Sequence, residues 1–111
     1  MQFGLAACRN VGARQKDLAL AYFSSQLIRS STSPAANYAE ARAAQSRRDF
    51  AHKLQICLKE LRESAVWLRF IVELAGENAG RSSLRTECGE LIAIFVASLK
   101  TIRGQDDDEK T

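Results

Sequence analysis

From Phe50 onward, apolar residues return every three or four positions: Phe50, Leu54, Cys57, Leu61, Ala65, Leu68, Val72 and Ala75. That period lines one face of an α-helix. Ser46-x-x-Asp49 ahead of the stripe resembles a capping box, with Asp49 in place of the usual Glu or Gln. Asp49 also suits the positive end of a helix, and Gly76 suits the position just past the other end. A helix is therefore predicted from Ser46 to Ala75. A second stripe, Leu84, Cys88, Leu91, Phe95, Leu99 and Ile102, predicts a helix over about Ser83 to Arg103, with Gly104 as its stop.

The upstream pattern is less regular. Leu5, Cys8 and Val11, then Leu20, Phe23, Leu27 and Ile28, are helically spaced within each half of a segment from Leu5 to Arg29. Gly12 and the polar run Arg14-Gln15-Lys16-Asp17 weaken its middle, where a kink or an irregular stretch is expected. Ser33-Pro34 then reads as a fresh helix start. Serine caps the free amides of a first turn, and proline fits the first helical position. The short alanine-rich helix that follows has Tyr38 as its one large anchor.

No segment alternates with period two. Four amphipathic helices with short connections predict an all-α fold, an antiparallel up-down four-helix bundle. The chain has 111 residues, enough for one hydrophobic core. Its formal charge of +3 is unevenly spread. Residues 1–103 carry 15 basic against 9 acidic groups, whereas Asp106-Asp107-Asp108-Glu109-Lys110 is net −3. Residues 1–104 are thus expected to form the bundle, and 105–111 an acidic, solvated, disordered tail.

The stripes leave large apolar residues over. Ile56, Val66, Trp67, Phe70, Ile71 and Leu74 fall beside or beyond the main stripe of the third helix, and Ile92, Ile94 and Val96 beside that of the fourth. A wide core stripe would absorb them. An oligomer interface, where Trp and Phe are enriched, is the other reading, with Trp67, Phe70 and Leu74 at its centre.

Catalytic chemistry has no foothold in the pattern. The three cysteines, Cys8, Cys57 and Cys88, form no CxxC and sit one per apolar segment. They read as small buried hydrophobes in a reducing cytoplasm. Leu5-Ala6-Ala7-Cys8 resembles a lipoprotein cleavage box, but no basic residue and no long apolar run precede it. No run is long and apolar enough to span a bilayer. Asp49-x-x-His52 offers two groups on one helix face, fewer than a metal needs, and no Glu-x-x-His pair occurs. Asn37 and Glu40 read as hydrogen-bonding partners across the bundle, since no base and nucleophile accompany them. No enzyme, metal or cofactor is expected.

The stretch Gln26–Leu68, "QLIRSSTSPAANYAEARAAQSRRDFAHKLQICLKELRESAVWL", resembles a known family. The matching positions are Arg29, Ser30 and Ser33, then Ala36, Asn37, Glu40 and Ala41, then Ser46, Asp49, Phe50 and Lys53, then Lys59, Glu60, Glu63, Trp67 and Leu68. Glu90-Leu91 and Ser98-Leu99-Lys100-Thr101 look like its last helix. The family is that of the bacterial four-helix bundle proteins related to those encoded in 23S rRNA intervening sequences. Pro34 and Ala35 depart from its usual β-branched or small residue and glycine. The resemblance implies an antiparallel four-helix bundle, often a ring-shaped pentamer. It extends to the accessory protein of diversity-generating retroelements, a basic pentamer that works with reverse transcriptase and nucleic acid. It brings no catalytic residues.

The expected function is thus a non-enzymatic, cytoplasmic, self-assembling bundle that contacts RNA or another nucleic acid through basic surface residues. Arg42, Arg47, Arg48 and Lys53, around the junction of the second and third helices, are the candidates, against the alternative of a solvated polar face. A protein-interaction module using the Trp67–Phe70 face is the rival reading.

Overall fold

The structure, a computed structural model, describes residues 2–11 and 17–110, with the side chains of 2–10 and 17–104. It is all-α, and the described residues contain no strand. Four helices follow one another: α1 (Gln2–Val11), α2 (Leu18–Arg42), α3 (Arg47–Ala75) and α4 (Ala79–Lys110).

The number of helices matches the sequence pattern, but the first boundary moves. No helix starts at Ser33-Pro34. Pro34 lies inside α2, buried. α2 starts instead after Asp17, whose side chain accepts the amide of Leu20 and caps it, and the kink expected at Gly12 and Arg14–Lys16 lies outside the described residues. A proline inside a helix costs about 3 kcal/mol, because one hydrogen bond is lost and the ring crowds the preceding turn. Two features hold the helix together there. Ser30, Ser31 and Thr32 turn their hydroxyls back on their own helix, onto the carbonyls of Leu27 and Ile28. Asn37 likewise donates to the Ser33 carbonyl and hydroxyl, within α2 rather than across the bundle. Ser33, expected to cap a new helix, thus accepts from Asn37 within the old one.

The junction after α2 is as predicted. The Ser46 hydroxyl accepts the Asp49 amide at 3.0 Å, and Gly76 closes α3 with φ of 89°, a conformation that costs glycine little. α4 begins earlier than Ser83, because Asn78 accepts the Arg81 amide and acts as the cap. Nor does Gly104 stop α4, whose backbone is helical to Lys110. A lone glycine costs a helix only about 1 kcal/mol, and the acidic stretch expected as a separate tail is helical backbone as far as Lys110.

Two stripes are rephased. Ala65 is exposed, and Ser64 takes its place in the core. Steps of three then four from Leu61 reach Leu68 as well as four then three, and only the former puts a buried side chain against Ser30. In α1, Leu5 is 56% exposed while Phe3 and Ala7 are buried. The cause is Gly4. A Cβ there would stand 2.7 Å from the Ser31 carbonyl oxygen and 3.0 Å from the Thr32 Cα. α1 therefore crosses α2 on its glycine, and that crossing sets which flanking residues turn inward.

The core joins Phe3, Leu27, Leu54, Leu61, Leu68, Leu84, Cys88 and Phe95 from all four helices. As residue numbers rise along α2 they fall along its partner α3: Phe23 meets Trp67 and Phe70, Ser30 meets Ser64, Pro34 meets Cys57 and Glu40 meets Lys53. α1 packs on α2 and α4, and α3 packs on the same two. The chain forms a rod of 57 × 21 × 20 Å. Because α1 has 10 residues and the others 25, 29 and 32, it covers only part of that length. Among the described residues, a gap lies between α2 and α4 beside Tyr38 and Phe95, with Phe50 and Leu54 of α3 along it.

Candidate interaction surfaces

The basic junction is carried by the end of α2 and the first turns of α3. Arg42 is in the last turn of α2, and Arg47 and Arg48 open α3, all three exposed. The tight connection Ala43–Ser46, capped at both ends, brings them to one end of the rod. Lys53 lies further along α3. Its Nζ is 2.6 Å from Glu40, so its cation is committed to α2. His52 is exposed nearby. Among the described residues no three metal-ligating side chains come together.

The aromatic residues expected at an interface behave differently from one another. Trp67 is only partly accessible and stacks on Phe23, with ring centres 5.8 Å apart. Phe70 stacks on the same Phe23 at 5.1 Å, and Tyr22 stands edge-on to Trp67 at 6.0 Å. Phe23 of α2, missed as a partner in the sequence, is the hub of this cluster. Helical spacing shows which residues share a face but not which helix lies against it. Trp67 thus supports the patch from behind, its indole nitrogen buried with no hydrogen-bond partner among the described residues. Phe70 at 41%, Leu74 at 56% and Tyr22 at 55% exposure form a ridge in solvent. Ile71, also left over by the stripe, is buried.

The gap between α2 and α4 is a second apolar surface. It is a slot of about 480 Å³ whose walls include Tyr38, Phe50, Leu91, Ile94 and Phe95. No charged residue lines it among the described residues. Ile94 is 57% exposed, and Tyr38 leans on Phe95 with ring centres 6.0 Å apart. Tyr38 was legible as an anchor. The slot was not, because residues of α2, α3 and α4 form it together.

Titration adds little chemistry. Burial pushes the Cys57 thiol up and raises that of Cys88 to about 11. The two thiols donate to the carbonyls of Pro34 and Leu61. They are packing groups, and all three cysteines are free. Arg29 is held above its ordinary value chiefly by its hydrogen bond to Glu63, with Glu60 assisting at 3.0 Å. This fork ties α2 to α3.

The fold is that of a small all-α protein with exposed apolar residues at Tyr22, Phe70 and Leu74 and at Ile94. Residues 3–97 match the family model of the 23S rRNA-intervening sequence protein. The chain belongs to that family. It is also similar to a crystal structure of a protein with unknown function from the S23 ribosomal protein family of Bacteroides thetaiotaomicron VPI-5482. The two share 30% identity and superpose with a TM-score of 0.78 over 89% of this chain and 93% of the other. No curated protein matches the chain. No helix among the described residues is long and apolar enough to cross a membrane.

Proposed function

We propose that this protein is a non-enzymatic, self-assembling helical bundle of the antiparallel up-down type, working in the cytoplasm. One observation carries the reading. The chain has an exposed apolar ridge at Tyr22, Phe70 and Leu74, and an apolar slot at Tyr38, Ile94 and Phe95, on different parts of its surface. A ridge on one copy that fills the slot of the next buries both. Such unlike faces associate head to tail and close into a ring when the rotation allows it, which agrees with a pentamer. The opposed residue order of α2 and α3 supports the antiparallel arrangement, and three free thiols suit a reducing compartment.

Light scattering tests the assembly. The parent protein should weigh several times the 12.3 kDa chain. Phe70→Glu with Leu74→Glu should reduce it to one chain while the helical circular dichroism is kept. A parent protein that stays monomeric at high micromolar concentration refutes self-assembly.

The assembled bundle contacts RNA or another nucleic acid through Arg42, Arg47 and Arg48, with Lys53 the weakest member because Glu40 already holds it. Exposed amides at the start of α3 add to the attraction for phosphate. In a fluorescence anisotropy titration with RNA, Arg42→Gln with Arg48→Gln should weaken binding regardless of sequence and flatten its salt dependence, since fewer counterions are released. No binding at low salt leaves the protein-interaction reading in its place.

A further inference from the structure

The α3 helix segregates its charges. Glu60 and Glu63 turn toward α2, where both bind Arg29, at 3.0 and 2.7 Å. Lys59 and Arg62 turn the other way, into a groove between α3 and α4 of about 530 Å³. Lys100 and Arg103 of α4 also line this groove. None of these four cations has a hydrogen bond or ion pair among the described residues. Lys59 and Arg62 are three residues apart on one helix, and so are Lys100 and Arg103 on the other. Like charges at that spacing repel, at a cost of some tenths of a kcal/mol per pair. The one carboxylate that lines the groove among the described residues, Glu63, is already taken by Arg29.

The floor is of the opposite character. Leu58 and Leu99, buried at 8% and 3% exposure, lie at its base, and Val66, 48% exposed, supplies accessible apolar surface at one end. No aromatic side chain lines the groove. On α3 it runs from Gln55 to Val66, about 16 Å or three helical turns. A surface made of two packed helices accepts a third along its groove. Single-stranded nucleic acid would want rings to stack on, and an apolar floor offers nothing to a duplex backbone.

We infer that the α3–α4 groove docks an acidic amphipathic helix of a partner protein, its apolar stripe on Leu58, Leu99 and Val66 and its flanking carboxylates on Lys59, Arg62, Lys100 and Arg103. The groove shares no lining residue with the ridge or the slot. It recognises sign and amphipathicity together: the cations reject basic helices, and the leucines reject purely polar acidic chains.

The test uses the full chain and a fluorescein-labelled synthetic peptide of about five helical turns, with leucines every three and four residues and glutamates on both flanks. The expected result is saturable binding that weakens at least ~10-fold in Arg62→Glu with Arg103→Glu. It should change by less than about twofold in Arg48→Glu, a charge change outside the groove. A peptide with its leucines replaced by glutamine should lose binding. Three results overturn the inference: no saturable binding of the leucine peptide, equal binding of the glutamine peptide, or insensitivity to the paired groove reversal. Polyuridine that displaces the peptide from the groove, and is itself lost in Arg62→Glu with Arg103→Glu, assigns the surface to nucleic acid instead. Light scattering of the same variants reads assembly independently, so failure here and failure of self-assembly are distinguishable.

Discussion

The hydroxyls of Ser30 and Ser64 lie 2.8 Å apart, both fully buried, where α2 and α3 meet. Ser64 donates its proton to the Glu60 carbonyl, so Ser30 is the donor to Ser64, with the Leu27 carbonyl as its alternative acceptor at 3.4 Å. Every polar atom of the pair is therefore satisfied inside an apolar contact. Ser64→Ala should cost about 0.5–1.5 kcal/mol, the net worth of one such bond. Ser64→Leu should cost about 1–3 kcal/mol, because the crossing has no space for a branched side chain. Urea denaturation measures both. A leucine variant as stable as the parent would mean that the two helices do not approach so closely.

Gly4 makes the corresponding contact for α1. Its missing Cβ leaves space for the Ser31 carbonyl oxygen, which is backbone and cannot swing aside. Gly4→Ala should loosen α1 and destabilise the fold by about 1–3 kcal/mol, although alanine favours helix over glycine by about 1 kcal/mol. A gain in melting temperature would show that propensity outweighs the crossing.

Burial of the Cys88 thiol has a pH signature. Its value rises from 9.0 to about 11 on folding. Between those values the unfolded chain gives up a proton that the folded chain keeps, so stability is full below about pH 9 and falls as pH approaches 11. Cys88→Ala, itself destabilising, should flatten that decline. The observable is the slope of melting temperature against pH from 8.5 to 10.5 for parent and variant, and equal slopes would contradict the assignment.

The sequence made α3 and its caps legible because every local signal there agrees. Stripe, Ser46, Asp49 and Gly76 point to the same boundaries. Ser33-Pro34 shows where local signals fail. A cap requires the preceding chain to leave helical conformation, whereas α2 runs on from Leu18 to Arg42 with Ser30 and Pro34 buried against α3. Ser46→Ala should therefore cost about 1 kcal/mol, as expected of a true N-cap. Ser33→Ala should cost less, since its hydroxyl only accepts from Asn37. Calorimetry of the two variants in parallel settles the order. The phase of α1 was illegible for another reason. Leu5 is the better core residue by composition, but the glycine crossing turns Phe3 and Ala7 inward.

The candidate surfaces were half legible. Phe70 and Leu74 stand exposed where the leftover-hydrophobe argument pointed, and Trp67 sits partly sheltered on Phe23. Lys53 shows the limit of reading charge from sequence, since its partner Glu40 lies on another helix. The slot and the α3–α4 groove depend on more than one helix at once, and no single stripe displays them.

The most direct test of self-assembly is a disulfide between copies. Phe70→Cys would place a thiol on the ridge and Ile94→Cys one in the slot, each in a Cys8→Ser background that leaves only the buried Cys57 and Cys88. The two variants are refolded together and oxidised, then separated on a non-reducing gel. Ridge-in-slot packing predicts a covalent two-chain species in the mixture and none from either variant alone. A mixture that yields no such species, or single variants that yield as much as the mixture, would contradict it.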